Sequence, residues 1–116
     1  MTEIEFTVPL IPPSVNSYVR HTRSGRHYVT KEAKAFKEAV AVCGPRGKRE
    51  AKSYRVDVVL YLGKGQRLDL DNCTKVIGDG LKDAGLIHSD AAIGEWRLQK
   101  FRDAKEPRTE IKVVYL

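Results

Sequence analysis

The chain has 116 residues, 41% hydrophobic and 31% charged, with 21 Lys and Arg against 15 Asp and Glu for a net charge of +6. These values exclude a disordered tail and a membrane-spanning protein, and they fit one domain over residues 1–116. A domain this small has a modest core that a second copy would extend, and its basic body suits a polyanionic partner, although many solvated surfaces are basic too.

At the N-terminus Ile4, Phe6 and Val8 alternate with Glu3, Glu5 and Thr7, the period of a half-buried strand, until Pro9, Pro12 and Pro13 end it. Glu3 and Glu5 stand where an export signal needs bases, and no apolar stretch approaches membrane length. A cytoplasmic location with no membrane partner is expected. Residues 14–28 read as a loop without a single acid, containing Asn16, Tyr18, Arg20, His21, Arg23, Arg26, His27 and Tyr28, with a turn at Gly25.

Thr30 is placed to cap a helix beginning at Lys31 and Glu32, where Ala33, Phe36, Val40 and Cys43 make one apolar stripe before Gly44-Pro45. A second basic segment with Arg46, Lys48 and Arg49 follows. Then Tyr54, Val56, Val58, Leu60 and Leu62 alternate with Arg55, Asp57, Val59 and Tyr61 in the clearest strand of the chain, closed by Gly63-Lys64-Gly65. Asp71 or its neighbour is expected to open a second helix with Val76, Ile77, Leu81 and Ala84 on its apolar face and Gly85 as its stop. A loop holding His88 and Asp90 leads to strands from Glu95 to Phe101 and from Thr109 to Leu116, separated by a turn from Asp103 to Pro107. The order β-α-β-α-β-β predicts an α+β fold, a small mixed sheet packed with two helices. Cys43 and Cys73 have no metal-type spacing and read as reduced, partly buried thiols; the three histidines show no zinc pattern.

The charge is unevenly spread. Residues 69–90 hold five acids (Asp69, Asp71, Asp79, Asp83, Asp90) and two bases (Lys75, Lys82), a net of −3 that leaves +9 elsewhere. In Asp69-Leu70-Asp71 the carboxylates stand at i and i+2, on one face of an extended segment. With Asp71 opening the helix, Lys75 lies one turn on and Asp79 another, a polar stripe apart from Val76 and Ile77. Asp90 returns from the loop beyond Gly85.

Hydrolysis of a phosphodiester has use for such a set. Mg²⁺ takes hard oxygen ligands, keeps several waters, activates one of them and offsets charge building on the phosphate. A nearby ammonium stabilises that charge or assists proton transfer. The same residues also fit a plainer account, with Asp71 as a helix cap and Lys75 as the i+4 partner of Asp71, Asp69 solvating a turn, Asp79 in a salt bridge and Asp83 on a solvated face. Residue types and spacing therefore reach no further than a candidate nuclease.

Pro9-Leu10-Ile11-Pro12-Pro13-Ser14-Val15-Asn16, the Tyr18-Val19-Arg20-His21 segment and above all Arg67-Leu68-Asp69-Leu70-Asp71-Asn72-Cys73-Thr74-Lys75 with Asp79-Gly80-Leu81 carry a wider likeness. Together they resemble the RusA family of Holliday-junction resolvases, whose Asp-x-Asp-Asn-x-x-Lys signature stands unbroken. Asp90 falls where that family has its third carboxylate. The run Lys64-Gly65-Gln66-Arg67 departs from the family in holding only two bases. The resemblance implies Asp69, Asp71 and Asp90 as ligands of Mg²⁺, or of Mn²⁺ in its place. Lys75 becomes the basic catalytic residue beside them, with Asn72 and Asp79 supporting. It also implies a homodimer that binds four-way DNA junctions and nicks two opposed strands in recombination and repair, leaving 5′-phosphate and 3′-hydroxyl ends.

Candidate DNA contacts are Asn16, Tyr18, Arg20, His21, Arg23, Arg26 and Arg67, the arginines meeting phosphates while Tyr18, His21 and Tyr28 stack on exposed bases. The plainer reading of this stretch is a solvated loop, and for Arg46, Lys48 and Arg49 solvation is an equal alternative. Two further readings compete with a junction nuclease. One is a non-catalytic DNA- or RNA-binding module with structural aspartates; the other is the same chemistry on other branched or flapped DNA. Convergence of Asp90 on Asp69 and Asp71 is the feature that separates enzyme from binding module.

Overall fold

The structure, a computed structural model, describes residues 2–14, 19–21, 27–46 and 50–116, with backbone alone for 19–21 and 27–29. In chain order come β1 (Thr2–Val8), β2 (Val19–His21), β3 (His27–Val29), α1 (Lys31–Cys43), β4 (Tyr54–Tyr61), α2 (Thr74–Asp83), β5 (Ile93–Phe101) and β6 (Arg108–Tyr115). Short 3₁₀ turns at Leu70–Asn72 and Asp90–Ala92 flank α2. The sheet runs β1-β6-β4-β5, with β6 antiparallel to both its neighbours and β5 parallel to β4. This is the expected α+β fold, a mixed sheet with two helices.

Alternation decides which face of the sheet is covered. In β4, Tyr54, Val56, Val58 and Leu60 are buried, while Arg55, Asp57, Val59 and Tyr61 are only half-buried. Ala33, Phe36 and Val40 of α1 and Val76, Ile77 and Leu81 of α2 join Ile4, Phe6, Val8, Ile111 and Val113 in one core. Thr30 caps α1 by accepting from the Ala33 N–H at 3.4 Å, as its position before the apolar stripe suggests. Asp83 is exposed, as expected of a solvated face, and it also holds Lys37 of α1 at 3.3 Å, tying the helices together. The opposite face of the sheet is polar, with Arg97–Glu95 at 2.7 Å, Arg55–Asp57 at 3.1 Å and Lys112–Glu3 at 3.3 Å.

Two expectations need correction. Residues 14–28 are not loop throughout, because Val19↔Val29, Arg20↔Tyr28 and His21↔His27 pair as an antiparallel ribbon. Val19, Tyr28 and Val29 are strand-forming types on either side of the 22–26 segment, and their propensity outweighs the polar surroundings. Asn16, Tyr18, Arg23, Gly25, Arg26, Lys48 and Arg49 lie outside the described residues.

The second correction concerns α2, which begins at Thr74 and not at Asp71. Leu68 and Cys73 are both buried, and a tight 3₁₀ turn between them sends both inward while Asp69 and Asp71 stay exposed. The far end of α2 matches the sequence reading. Gly85 adopts φ 76°, its N–H donates to Lys82 O at 3.0 Å, and the Leu86 N–H donates to Leu81 O at 2.9 Å. That pair of bonds is a Schellman stop, and the positive φ is why glycine stands there. Among the described residues no helix is long and apolar enough to cross a membrane.

Candidate active site

The parallel pair β4 and β5 can be joined only by a crossover, and here the crossover contains α2 and every carboxylate of the candidate site. After β4 the chain turns tightly, with the Gly63 N–H donating to Gln66 Oε1 at 2.6 Å and Gly65 at φ 81°. Leu68 is buried, and its carbonyl accepts from Lys100 Nζ of β5 at 3.1 Å. That bond anchors the residue just before Asp69. Asp69 is extended (φ −78°, ψ 136°), and the Asn72 N–H donates to its carbonyl at 3.0 Å as the 3₁₀ turn closes.

A shared strand face would require both aspartates on one extended segment. Asp71 lies inside the turn, so they do not share a strand face, and they stand exposed together ahead of α2. Neither caps the helix: no side-chain cap bond is made at Asp69 or at Cys73. Among the described residues the carboxylates of Asp69, Asp71 and Asp90 make no hydrogen bond and no ion pair. Cys73, by contrast, is fully buried, and its thiol donates to Leu70 O at 3.0 Å. Burial pushes that thiol up to about 11, with the Asp71 charge adding to the effect. A thiol held protonated is no nucleophile.

Lys75 lies in the first turn of α2 and pairs with Asp79 at 3.2 Å, not with Asp71. Asp90 reaches the same helix from beyond its stop. Leu86 and Ile87 are buried, and the Tyr115 hydroxyl donates to Leu86 O at 2.8 Å. The buried Tyr54 hydroxyl accepts from the His88 backbone N–H at 3.2 Å and shares a second hydrogen bond of 2.6 Å with His88 Nδ1. Ser89 Oγ accepts from the Ala91 N–H at 3.2 Å and caps the turn that contains Asp90.

Asp90 then rests against α2 where the helix has no side chain: a Cβ at Gly78 would lie 3.4 Å from Asp90 Cβ and 3.7 Å from Trp96 Cζ2. Gly78 is one turn beyond Lys75, so Asp90, Lys75 and Asp79 occupy neighbouring positions on one side of α2. Asp69 and Asp71 stand at the N-terminal end of that helix. Among the described residues no three His, Cys, Asp or Glu side chains stand close enough to hold a metal ion as they are placed. The candidate donors are all hard oxygens, and their carboxylates are uncommitted. Such a set fits an ion that keeps several waters and takes one or two carboxylates together with substrate phosphate oxygens.

Sequence reasoning missed two cations here. A cleft of ≈ 360 Å³ opens beside Asp69, lined by Leu62, Gln66, Arg67, Leu68, Lys100 and Arg102. Arg67 belongs to the expected DNA-contacting set, whereas Lys100 and Arg102 do not. Their nearness to Asp69 comes from the parallel pairing of β4 with β5, which sets Leu60 beside Lys100. The available signal was only a pair of bases, Lys100 and Arg102, at the end of a strand. Of the remaining expected contacts, Arg20 and His21 lie on β2.

The family profile of endodeoxyribonuclease RusA matches residues 9–114, a span that includes every element from α1 to the end of β5. Crossover junction endodeoxyribonuclease RusA of Escherichia coli is 31% identical over 116 residues, covering 97% of this chain and 95% of that protein. The protein of that name from Enterobacteria phage 82 is 30% identical with the same coverage. The one from Shigella sonnei is 29% identical, again over 97% of this chain and 95% of its own length.

Proposed function

This chain belongs to the endodeoxyribonuclease RusA family, and we propose that it resolves four-way DNA junctions by Mg²⁺-dependent paired nicks. It does so as one endonuclease domain within a homodimer, in the cytoplasm, during recombination and repair. What supports the reading is that Asp69 and Asp71 precede α2, Lys75 lies in its first turn and Asp90 packs against it at Gly78, with all three carboxylates uncommitted to other described residues. Relatives named as nucleases over almost their whole length favour an enzyme over a non-catalytic binding module.

Asp69, Asp71 and Asp90 would hold Mg²⁺, with Mn²⁺ as a substitute. When bound, the ion supplies an activated water and offsets negative charge on the phosphate. Asp79 keeps the Lys75 ammonium directed along the helix, where it can donate to a phosphate oxygen as charge builds. Arg67 contacts the DNA backbone next to Asp69, and Asn16, Tyr18, Arg20, His21, Arg23 and Arg26 contact the junction arms. Asn72 supports the site through the backbone bond that closes the turn between the aspartates.

The test is cleavage of a synthetic four-way junction. Mg²⁺ supports nicking and a chelator abolishes it. Asp69→Asn, Asp71→Asn and Asp90→Asn each lower the rate by about 100-fold or more while junction binding is kept. Asp79→Asn costs much less. Full activity in chelator, or an Asp79→Asn defect equal to that of Asp69→Asn, would overturn the assignment.

A further inference from the structure

We propose that Arg67, Lys100 and Arg102 form a seat for one backbone phosphate of the cleaved strand, adjacent to the scissile one. The inference deepens the nuclease reading and rests on it. Its first support is place. The cleft these residues line lies beyond the carboxyl ends of the parallel strands β4 and β5, and Asp69 forms part of its wall. Crevices outside the carboxyl ends of parallel strands are where α/β sheets bind ligands, because the chain must leave the sheet there and loops diverge. A strand crossing Asp69 toward Asp90 along α2 has its neighbouring phosphate at this cleft.

Charge is the second support. Lys37, Arg55, Lys75, Arg97, Arg108 and Lys112 each have a carboxylate within 4.0 Å. Arg67, Lys100 and Arg102 have none among the described residues, although Asp69 lines the same cleft. Three unneutralised cations brought together by two separate segments repel one another, and an anion in the cleft relieves that repulsion. The third support is donor geometry. Lys100 commits one hydrogen to Leu68 O and has two left. The guanidinium groups of Arg67 and Arg102 present planar forks that match phosphate oxygens. Lys100 thus serves two ends: it fixes the segment that carries Asp69, and it lends charge to the phosphate beside that carboxylate.

The experiment separates charge from scaffolding. Arg102→Gln removes an exposed charge, and Lys100→Gln removes the charge while keeping an amide donor for Leu68 O. Arg97→Gln, on the opposite face of the sheet, is the control. Binding is measured without divalent metal on a four-way junction carrying single methylphosphonates, one position at a time around the cut site. Wild-type protein is expected to bind less well at one or two neutralised positions. Arg102→Gln and Lys100→Gln each bind native junction more weakly, show no additional loss at those positions, and lower the log–log salt slope by about 1. Variants with the wild-type slope and the wild-type methylphosphonate profile would overturn the seat. Wild-type cleavage in Mg²⁺, followed in parallel, isolates the premise. A wild type that cuts no junction sinks the nuclease reading and the seat together, whereas a cutting wild type with unaltered variants sinks the seat alone.

Discussion

Cys73 lies between the aspartates and the helix they precede, and its thiol is shaped by burial. In the folded chain it ionises near 11, above its ordinary 9.0, because desolvation disfavours the thiolate. The folded state therefore holds this proton more tightly than the unfolded state does. The resulting stability is complete below about pH 9 and disappears as pH rises through about 11, a change on the order of 2–3 kcal/mol. Denaturant midpoints of wild type and Cys73→Ala, compared across that window, should converge by this amount as pH rises; a pH-independent gap would show that the thiol ionises alike in both states. At this scale the sequence was legible where chemistry is carried by residue type. Asp69, Asp71 and Asp90 stand out in the acidic island of a basic chain, with Lys75 among them. Lys100 and Arg102 did not, since nothing local announces that β5 lies parallel to β4.

The elements around α2 explain how a site is built from distant segments. Both flanks of the helix are pinned to the sheet, the first by Lys100 on Leu68 O and the second by Tyr115 on Leu86 O and Tyr54 on His88. Tyr54 is wholly buried and, among the described residues, its hydroxyl bonds to His88 and to no candidate ligand, so it acts by holding the loop that carries Asp90. Tyr54→Phe keeps the ring and its packing, removes both bonds to His88, and costs about 1–2 kcal/mol of stability. If the loop positions Asp90, cleavage also falls by tenfold to about 100-fold at unchanged junction affinity. A variant less stable but equally fast would confine Tyr54 to the core. Strand β4 was readable because its period of two runs without interruption, and α1 because cap, stripe and stop agree. The start of α2 was misjudged because an Asp that precedes a helix looks like a cap, whereas burial of Leu68 and Cys73 imposes a 3₁₀ turn first. The ribbon of β2 and β3 was missed because its strands are three residues each, too short for alternation to show.

At the scale of the whole molecule the fold class follows from element order, but the strand order β1-β6-β4-β5 does not. It depends on β6 inserting between the first strand and β4, a long-range choice with no local signature. The same scale governs the last prediction. One chain contributes one set of Asp69, Asp71, Lys75 and Asp90, and clean resolution of a four-way junction requires two cuts in opposed strands. A twofold dimer presents its two sites to symmetry-related strands, while a monomer must cut, release and bind again. In a supercoiled cruciform plasmid the two cases diverge. Paired cutting within one binding event yields linear plasmid directly, because the second nick precedes relaxation of the cruciform. Independent cuts pass through a nicked circle in which the cruciform has been absorbed and no second substrate exists. Linear product from the earliest time points, with a dimer mass by sedimentation at micromolar concentration, is the expected outcome. Monomer mass with nicked circle as the sole product would leave a Mg²⁺-dependent nuclease that acts on junctions one strand at a time.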